Sequence, residues 1–312
     1  MITMKDLKTT KFGLGILLMA GLNSPVNAQK LKSVQEGNVR APSNIKIDGK
    51  LSEWNDAFQA YNTTTSLSYT VSNDDNYLYL AVKSTDQMNS NKIAAAGLNF
   101  TINTADKKKE AGAFALIFPI ANKSVMTGML PQHGGPGGPG DGFGGGPGGG
   151  APGNPFILDS ATADKLHKTT IDGAKEIKLV GFKDIPDSVI SIYNEYGIKA
   201  AINYDTKGNL TYEAAVPLKL LGLSTDNPKE FYYNVKINAI QLPDRGKWDD
   251  GDRGGRVGDG GGFSGPPGGG DGGGRGGFGG PPGGGPGGPG GAFHAMLSST
   301  DFWGKYMLAK NN

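Results

Sequence analysis

Alternation of apolar and polar positions dominates the readable parts of the chain. Residues 77–83 (YLYLAVK) set Leu78, Leu80 and Val82 on one side and Tyr77, Tyr79 and Lys83 on the other. That period of two marks a half-buried strand. Residues 66–72 (SLSYTVS) are of the same type, and the Asn73-Asp74-Asp75-Asn76 turn between the two runs predicts a hairpin. The same reading predicts strands at 98–103, 113–120, 176–182, 198–204, 210–216, 232–240 and 305–309, with 302–308 (FWGKYML) strand-like as a whole. One helical turn fits 217–221, with Pro217 at its first position and Gly222 after its end. Many short strands separated by turn residues predict an all-β fold, an antiparallel β-sandwich of immunoglobulin-like or jelly-roll-like kind.

Two stretches break the pattern. Residues 134–154 and 251–291 hold most of the 53 glycines. Glycine loses the most backbone entropy on ordering, and these runs offer almost nothing to bury, so both are predicted to be flexible, disordered loops. Collagen-like structure needs Gly at every third position, and here the spacing drifts. A strand-like stretch follows the second run, so the runs interrupt a domain rather than end it. The closure entropy of such a loop grows only logarithmically with its length. The expected organisation is a signal at 1–28, an N-terminal linker at 29–43 and one β-sandwich domain over 44–310. With the signal and the glycine runs set aside, roughly 220 residues remain, enough for one large β domain.

The N-terminus reads as an export signal. Lys5, Lys8 and Lys11 precede the apolar run 12–22 (FGLGILLMAGL), and Val26-Asn27-Ala28 ends in small side chains. Cleavage is expected after Ala28, leaving Gln29 first; a buried N-terminal helix is the competing reading. The apolar run is shorter than the about 20 residues a membrane span needs. The protein is therefore expected in the periplasm or outside the cell, with no transmembrane segment. The chain has 0 Cys, which excludes disulfides, thiolate metal sites and a Cys nucleophile. Removing the signal takes away three Lys and one Asp, so the formal net charge of +2 falls to zero. A neutral chain has no global pull toward nucleic acid or anionic membrane.

The motifs 45–54 (IKIDGKLSEW), 74–82 (DDNYLYLAV) and 212–217 (YEAAVP), taken in that order, resemble those of family 9 carbohydrate-binding modules and related DOMON-like domains of exported bacterial proteins. The opening 45–54 (IKIDGKLSEW) resembles their I-x-I-D-G-x-x-x-E-W start. Residues 74–82 (DDNYLYLAV) resemble their acidic turn and alternating strand, with Asp86 where an acid closes that strand. Residues 98–104 with Asp106-Lys107-Lys108-Lys109 resemble a strand and basic turn, and 212–217 (YEAAVP) with 220–223 (LLGL) resemble the x-E-A-A-I-P…L-G-L signature. Residues 231–238 and 302–308 follow in order. The likeness runs from Ile45 to Leu308, leaving out the glycine runs and 161–191. Read for their physics, the motif residues Asp48, Gly49, Trp54 and Glu213 are structural. Asp48-Gly49 makes a tight turn. Trp54 is expected in the core, and Glu213 either ties down a loop or holds a cation.

The resemblance implies a non-catalytic protein that binds a glycan or polysaccharide, with Ca²⁺ as a candidate ion. Sugar rings present apolar C–H faces that an aromatic plate covers while polar groups take the hydroxyls. Trp248, in 244–250 (DRGKWDD), is the expected plate, with Arg245 as donor and Asp249 as acceptor; a loop anchor packing back on the sandwich is the competing reading. Tyr193 and Tyr196 are substitutes with no motif behind them, and Trp303 is expected in the core. Asp250 and Asp252, beside Asp249, gather oxygen ligands of the kind Ca²⁺ takes, without matching an EF-hand. A solvated acidic loop competes with that reading. His133, His167 and His294 lie in no metalloprotease or triad context, and Ser264 is in no nucleophile elbow, so no enzyme is expected. The Arg-Gly-Gly runs at Arg253 and Arg275 are offset by Asp252, Asp259 and Asp271, which argues against nucleic acid. The rival function is a cell-envelope scaffold whose glycine-rich loops make surface contacts through Phe143, Phe263 and Phe278.

Overall fold

Eleven strands form among the described residues. In chain order they are β1 (Ala60–Asn62), β2 (Leu67–Asn73), β3 (Tyr77–Ser84), β4 (Leu98–Asn103), β5 (Phe114–Phe118), β6 (Glu176–Val180), β7 (Val189–Ser191), β8 (Lys199–Tyr204), β9 (Leu210–Pro217), β10 (Glu230–Ile237) and β11 (Thr300–Met307). The computed structural model describes residues 31–105, 107–129, 160–241 and 294–311. These belong to the unit Leu31–Asn312. One sheet runs β1-β2-β3-β9-β8 and the other β11-β10-β4-β5-β6-β7, with every pairing antiparallel. The fold is thus an all-β antiparallel sandwich.

The alternation explains the core. Leu78, Leu80 and Val82 of β3 are fully buried with Val71, Phe100, Ile102, Tyr212, Phe231, Tyr233 and Val235 from both sheets. Each such large side chain contributes about 1.5–3 kcal/mol by leaving water. The β2–β3 hairpin turns where its acidic residues predict. Asp74 Oδ1 accepts the N–H groups of Asn76 and Tyr77, both at 2.7 Å, and Tyr79 Oη donates to Asp74 Oδ2 at 2.6 Å.

The outer face of β3 is more buried than simple alternation predicts. Tyr79 and Ala81 are buried with Ala215 of β9, because Leu51 and Trp54 pack over them. Trp54 closes a 3-10 turn, Ser52–Trp54, and meets Tyr79 edge-on with ring centroids 6.4 Å apart. The predicted turn after β9 is present as a 3-10 turn, Leu218–Leu221.

Part of the segment read as a linker, from Lys32 to Ala41, packs as a strap across the sandwich. Strand β1 pairs with β2 only as far as Tyr69. Beyond that point the Gln35 amide takes the place of a strand, accepting from Val71 N at 2.8 Å and donating to Val71 O at 2.7 Å. Tyr306 Oη on β11 accepts from Val39 N and donates to Val39 O, so the strap is bonded to both sheets.

Three helices accompany the sheets: α1 (Gln87–Ala96), α2 (Lys123–Met129) and α3 (Ser160–Gly173). Asp86 caps α1, its Oδ1 accepting from Asn89 N at 2.8 Å. Ala94, Ala95, Val125 and Leu166 from these helices form a second small core with Ile240 and Met296.

The expectation that Trp303 lies in the core is corrected. Phe302, Gly304 and Tyr306 are the buried positions of β11, and Trp303 falls on the opposite face with Asp301, Lys305 and Met307, itself half-buried. The inward position between Phe302 and Tyr306 is a glycine because the Tyr233 ring occupies it. A Cβ at Gly304 would stand 2.2 Å from Tyr233 Cζ.

Candidate functional site

Glu213 gathers the structural motif residues at one point. It sits on β9 with no exposed surface, on the face covered by residues 48–54. Its Oε2 accepts from Gly49 N at 2.8 Å and Asp48 N at 3.2 Å, and its Oε1 accepts from Trp54 Nε1 at 2.8 Å. Thr211 Oγ1 adds a bond to Gly49 O at 2.6 Å. Of the two roles read for Glu213, the geometry is that of a loop tie, since each carboxylate oxygen faces N–H donors. Burial pushes its carboxyl up to about 7, against the three N–H donors that favour the ionised form. Gly49 presses on the neighbouring strand, where a Cβ would come 2.9 Å from both Asn203 Cβ and Ile202 C.

The predicted sugar plate Trp248, its partners Arg245 and Asp249, and the candidate calcium ligands Asp250 and Asp252 lie outside the described residues. Among the described residues no group of three His, Asp or Glu could hold a metal ion. Tyr193 is 83% exposed, whereas Tyr196 packs against the core. Tyr193 stands with Lys175, Asn194 and Lys199 around a cleft of about 560 Å³ floored by Phe118, Ile198 and other apolar side chains. At the far end of the first sheet, Lys83 Nζ lies 3.0 Å from Asp56 Oδ1 and 3.1 Å from Asp205 Oδ2. Asp205 Oδ1 also accepts from Lys207 N and Asn209 N. Although burial raises it, its carboxyl is held down at about 2 by the bonds from Asn209, Lys83 and Lys207.

Sequence reasoning missed the outward face of the second sheet. Strand register brings Trp303 of β11 beside Asn234 of β10, and Asn234 beside Thr101 of β4. Asn234 has no exposed surface. Its Nδ2 donates to Asp301 Oδ2 at 2.6 Å and Phe302 O at 2.9 Å, and its Oδ1 is buried without a partner. Two residues away on β10, Tyr232 faces Lys305, whose Nζ lies 4.9 Å from the Tyr232 ring centroid and 2.6 Å from Glu230 Oε2. In the other direction Lys236 pairs with Glu110. One face therefore carries two half-buried aromatic rings, an unsatisfied amide oxygen and paired charges. The signal for it was the parity of 301–307, obscured by the glycine at an inward position.

No protein family, no curated protein and no solved structure matches the chain. The resemblance to family 9 carbohydrate-binding modules thus has no match behind it.

Proposed function

We propose that the chain is an exported, non-catalytic β-sandwich that binds a glycan through the outward face of β10 and β11. The observation that supports this reading is the neighbourhood of Trp303. The indole supplies an apolar plate for the C–H face of a sugar ring. Asp301 and Lys305, exposed on the same face, supply an acceptor and a donor for its hydroxyls. An aromatic surface with a few convergent polar groups is the chemistry that fixes a neutral, hydroxyl-rich ligand.

Retention of the protein in polysaccharide-containing native gels tests the reading. Trp303→Ala is expected to weaken retention by about tenfold or more, the effect of removing an aromatic anchor. Unchanged retention in that variant refutes the assignment of this face. Loss with Trp248→Ala alone moves the plate to residue 248, and comparison with and without EDTA separates calcium-dependent from independent binding. Retention that survives both substitutions and disappears on deletion of 134–154 and 251–291 supports the cell-envelope scaffold instead. Export is checked by the mass of the protein recovered from the producing cell, which is expected to begin at Gln29.

A further inference from the structure

We propose that the chain forms a two-fold dimer in which β11 pairs edge to edge with β11 of a second copy, in an antiparallel register centred on Trp303. Strand β11 ends the second sheet. One side is paired along its whole length, Thr300 to Met307 against Ile237 to Glu230 of β10. At the other side Met307 N points away from β10 to Asn38 Oδ1 at 3.4 Å. Alternation then turns the backbone groups of Asp301, Trp303 and Lys305 toward that same side, where no described strand pairs with them. An unpaired edge of this length is a template for another strand.

The side-chain pattern selects a second copy of this chain as the occupant. An edge protected against self-pairing carries like charges that repel when copies meet. Here an acid and a base stand two residues to either side of one aromatic, Asp301, Trp303 and Lys305. With Trp303 opposite Trp303 of the partner subunit, Asp301 faces Lys305 of the partner subunit and Lys305 faces Asp301 of the partner subunit. Both charge pairs are of opposite sign and on one face. On the inward face Phe302 lies opposite Gly304 of the partner subunit, so a ring meets a position without a side chain. Register shifts by two residues lose these matches, placing Asp301 opposite Trp303 of the partner subunit in one direction and Lys305 opposite Trp303 of the partner subunit in the other. The pairing also sets two Trp303 rings side by side on the face proposed for glycan, although the dimer does not depend on that ligand.

Sedimentation across a concentration series, combined with cross-linking, tests the dimer. The parent chain is expected to show a monomer–dimer equilibrium. Lys305→Asp and Asp301→Lys are each expected to weaken it by about tenfold or more, since each places like charges opposite one another twice. The double variant Asp301→Lys with Lys305→Asp is expected to recover it. The chain has 0 Cys, so Trp303→Cys introduces a single thiol. Directly opposed hydrogen-bonded residues stand about 5.5 Å apart between Cα atoms, within disulfide reach. This variant is expected to give a covalent dimer on mild oxidation, and Met307→Cys, beside Asn38, to give none. A monomer at all concentrations, a dimer indifferent to the single charge reversals, or cross-linking through position 307 and not 303 overturns the proposal. The cross-link reports pairing even where a charge reversal also unsettles folding. Loss of glycan retention with the dimer intact counts against the ligand alone.

Discussion

At pH 5, Glu213→Ala is expected to lower the free energy of unfolding by about 4 kcal/mol, measured by urea denaturation. The substitution leaves three donors, Asp48 N, Gly49 N and Trp54 Nε1, without their acceptor. Each orphaned buried donor costs about 1–3 kcal/mol. It also releases the segment whose Leu51 and Trp54 cover Tyr79, Ala81 and Ala215. The effect depends on pH in a defined sense. Burial raises the Glu213 carboxyl from 4.5 to about 7, so between those values the folded chain holds a proton that the unfolded chain has released. The stability this confers is complete below the unfolded value and is lost as pH rises through about 7, a change of about 3 kcal/mol. Asp205 acts in the opposite sense and in another window. Its carboxyl is depressed from 3.8 to about 2, so its contribution is present above 3.8 and lost as pH falls through 2. The gap between the parent and Glu213→Ala is therefore expected to be wider at pH 5 than at pH 8. Glu213→Gln keeps one acceptor oxygen and is expected to lose less, about 2 kcal/mol at pH 5, while abolishing the same slope. An equal slope in all three chains would assign the titration to another group.

The strands of this fold were legible because their inward positions alternate with outward ones. The period of β3, Leu78, Leu80 and Val82, survives in the core unchanged. The helices were not legible for the converse reason. In α1 every residue from Ser90 to Ala96 is buried, so the segment shows no polar stripe to give a period near 3.6. Its Asn and Ser residues are also weak helix formers. The Glu213 tie was half legible. Its members stand out as motif residues, but Glu213 reaches Trp54 across 159 positions and Gly49 across 164. A linear pattern contains nothing that joins them. Trp303 was misread because apolar side chains occupy both parities of 302–308 while the inward position 304 is a glycine. The reason for that glycine, the Tyr233 ring, lies on another strand. The period that normally separates core from surface was cancelled by a packing requirement visible only in three dimensions.

That same kind of requirement makes Gly97→Ala the other substitution with a large expected effect, a loss of at least about 3 kcal/mol. Gly97 joins α1 to β4 at φ 84° and ψ 170°, a region that side-chain-bearing residues scarcely enter. Its N–H bonds Ile93 O at 2.9 Å and its carbonyl accepts from Asn238 N at 3.1 Å, so the peptide is fixed from both ends. A Cβ at this position would stand 2.2 Å from Pro119 O and 3.3 Å from Pro119 C. These are backbone atoms following β5, which cannot swing aside as a side chain would. Relief requires moving α1 away from β5, which opens the small core of Ala94, Ala95, Val125 and Leu166. Gly112 provides the control. It has φ 77°, but a Cβ there meets nothing within 4 Å, so Gly112→Ala carries only the left-handed strain of about 1–2 kcal/mol. Thermal or urea unfolding of the two variants isolates the steric part as their difference. If both lose the same amount, the approach to Pro119 relaxes freely and α1 is not held against β5 by this contact.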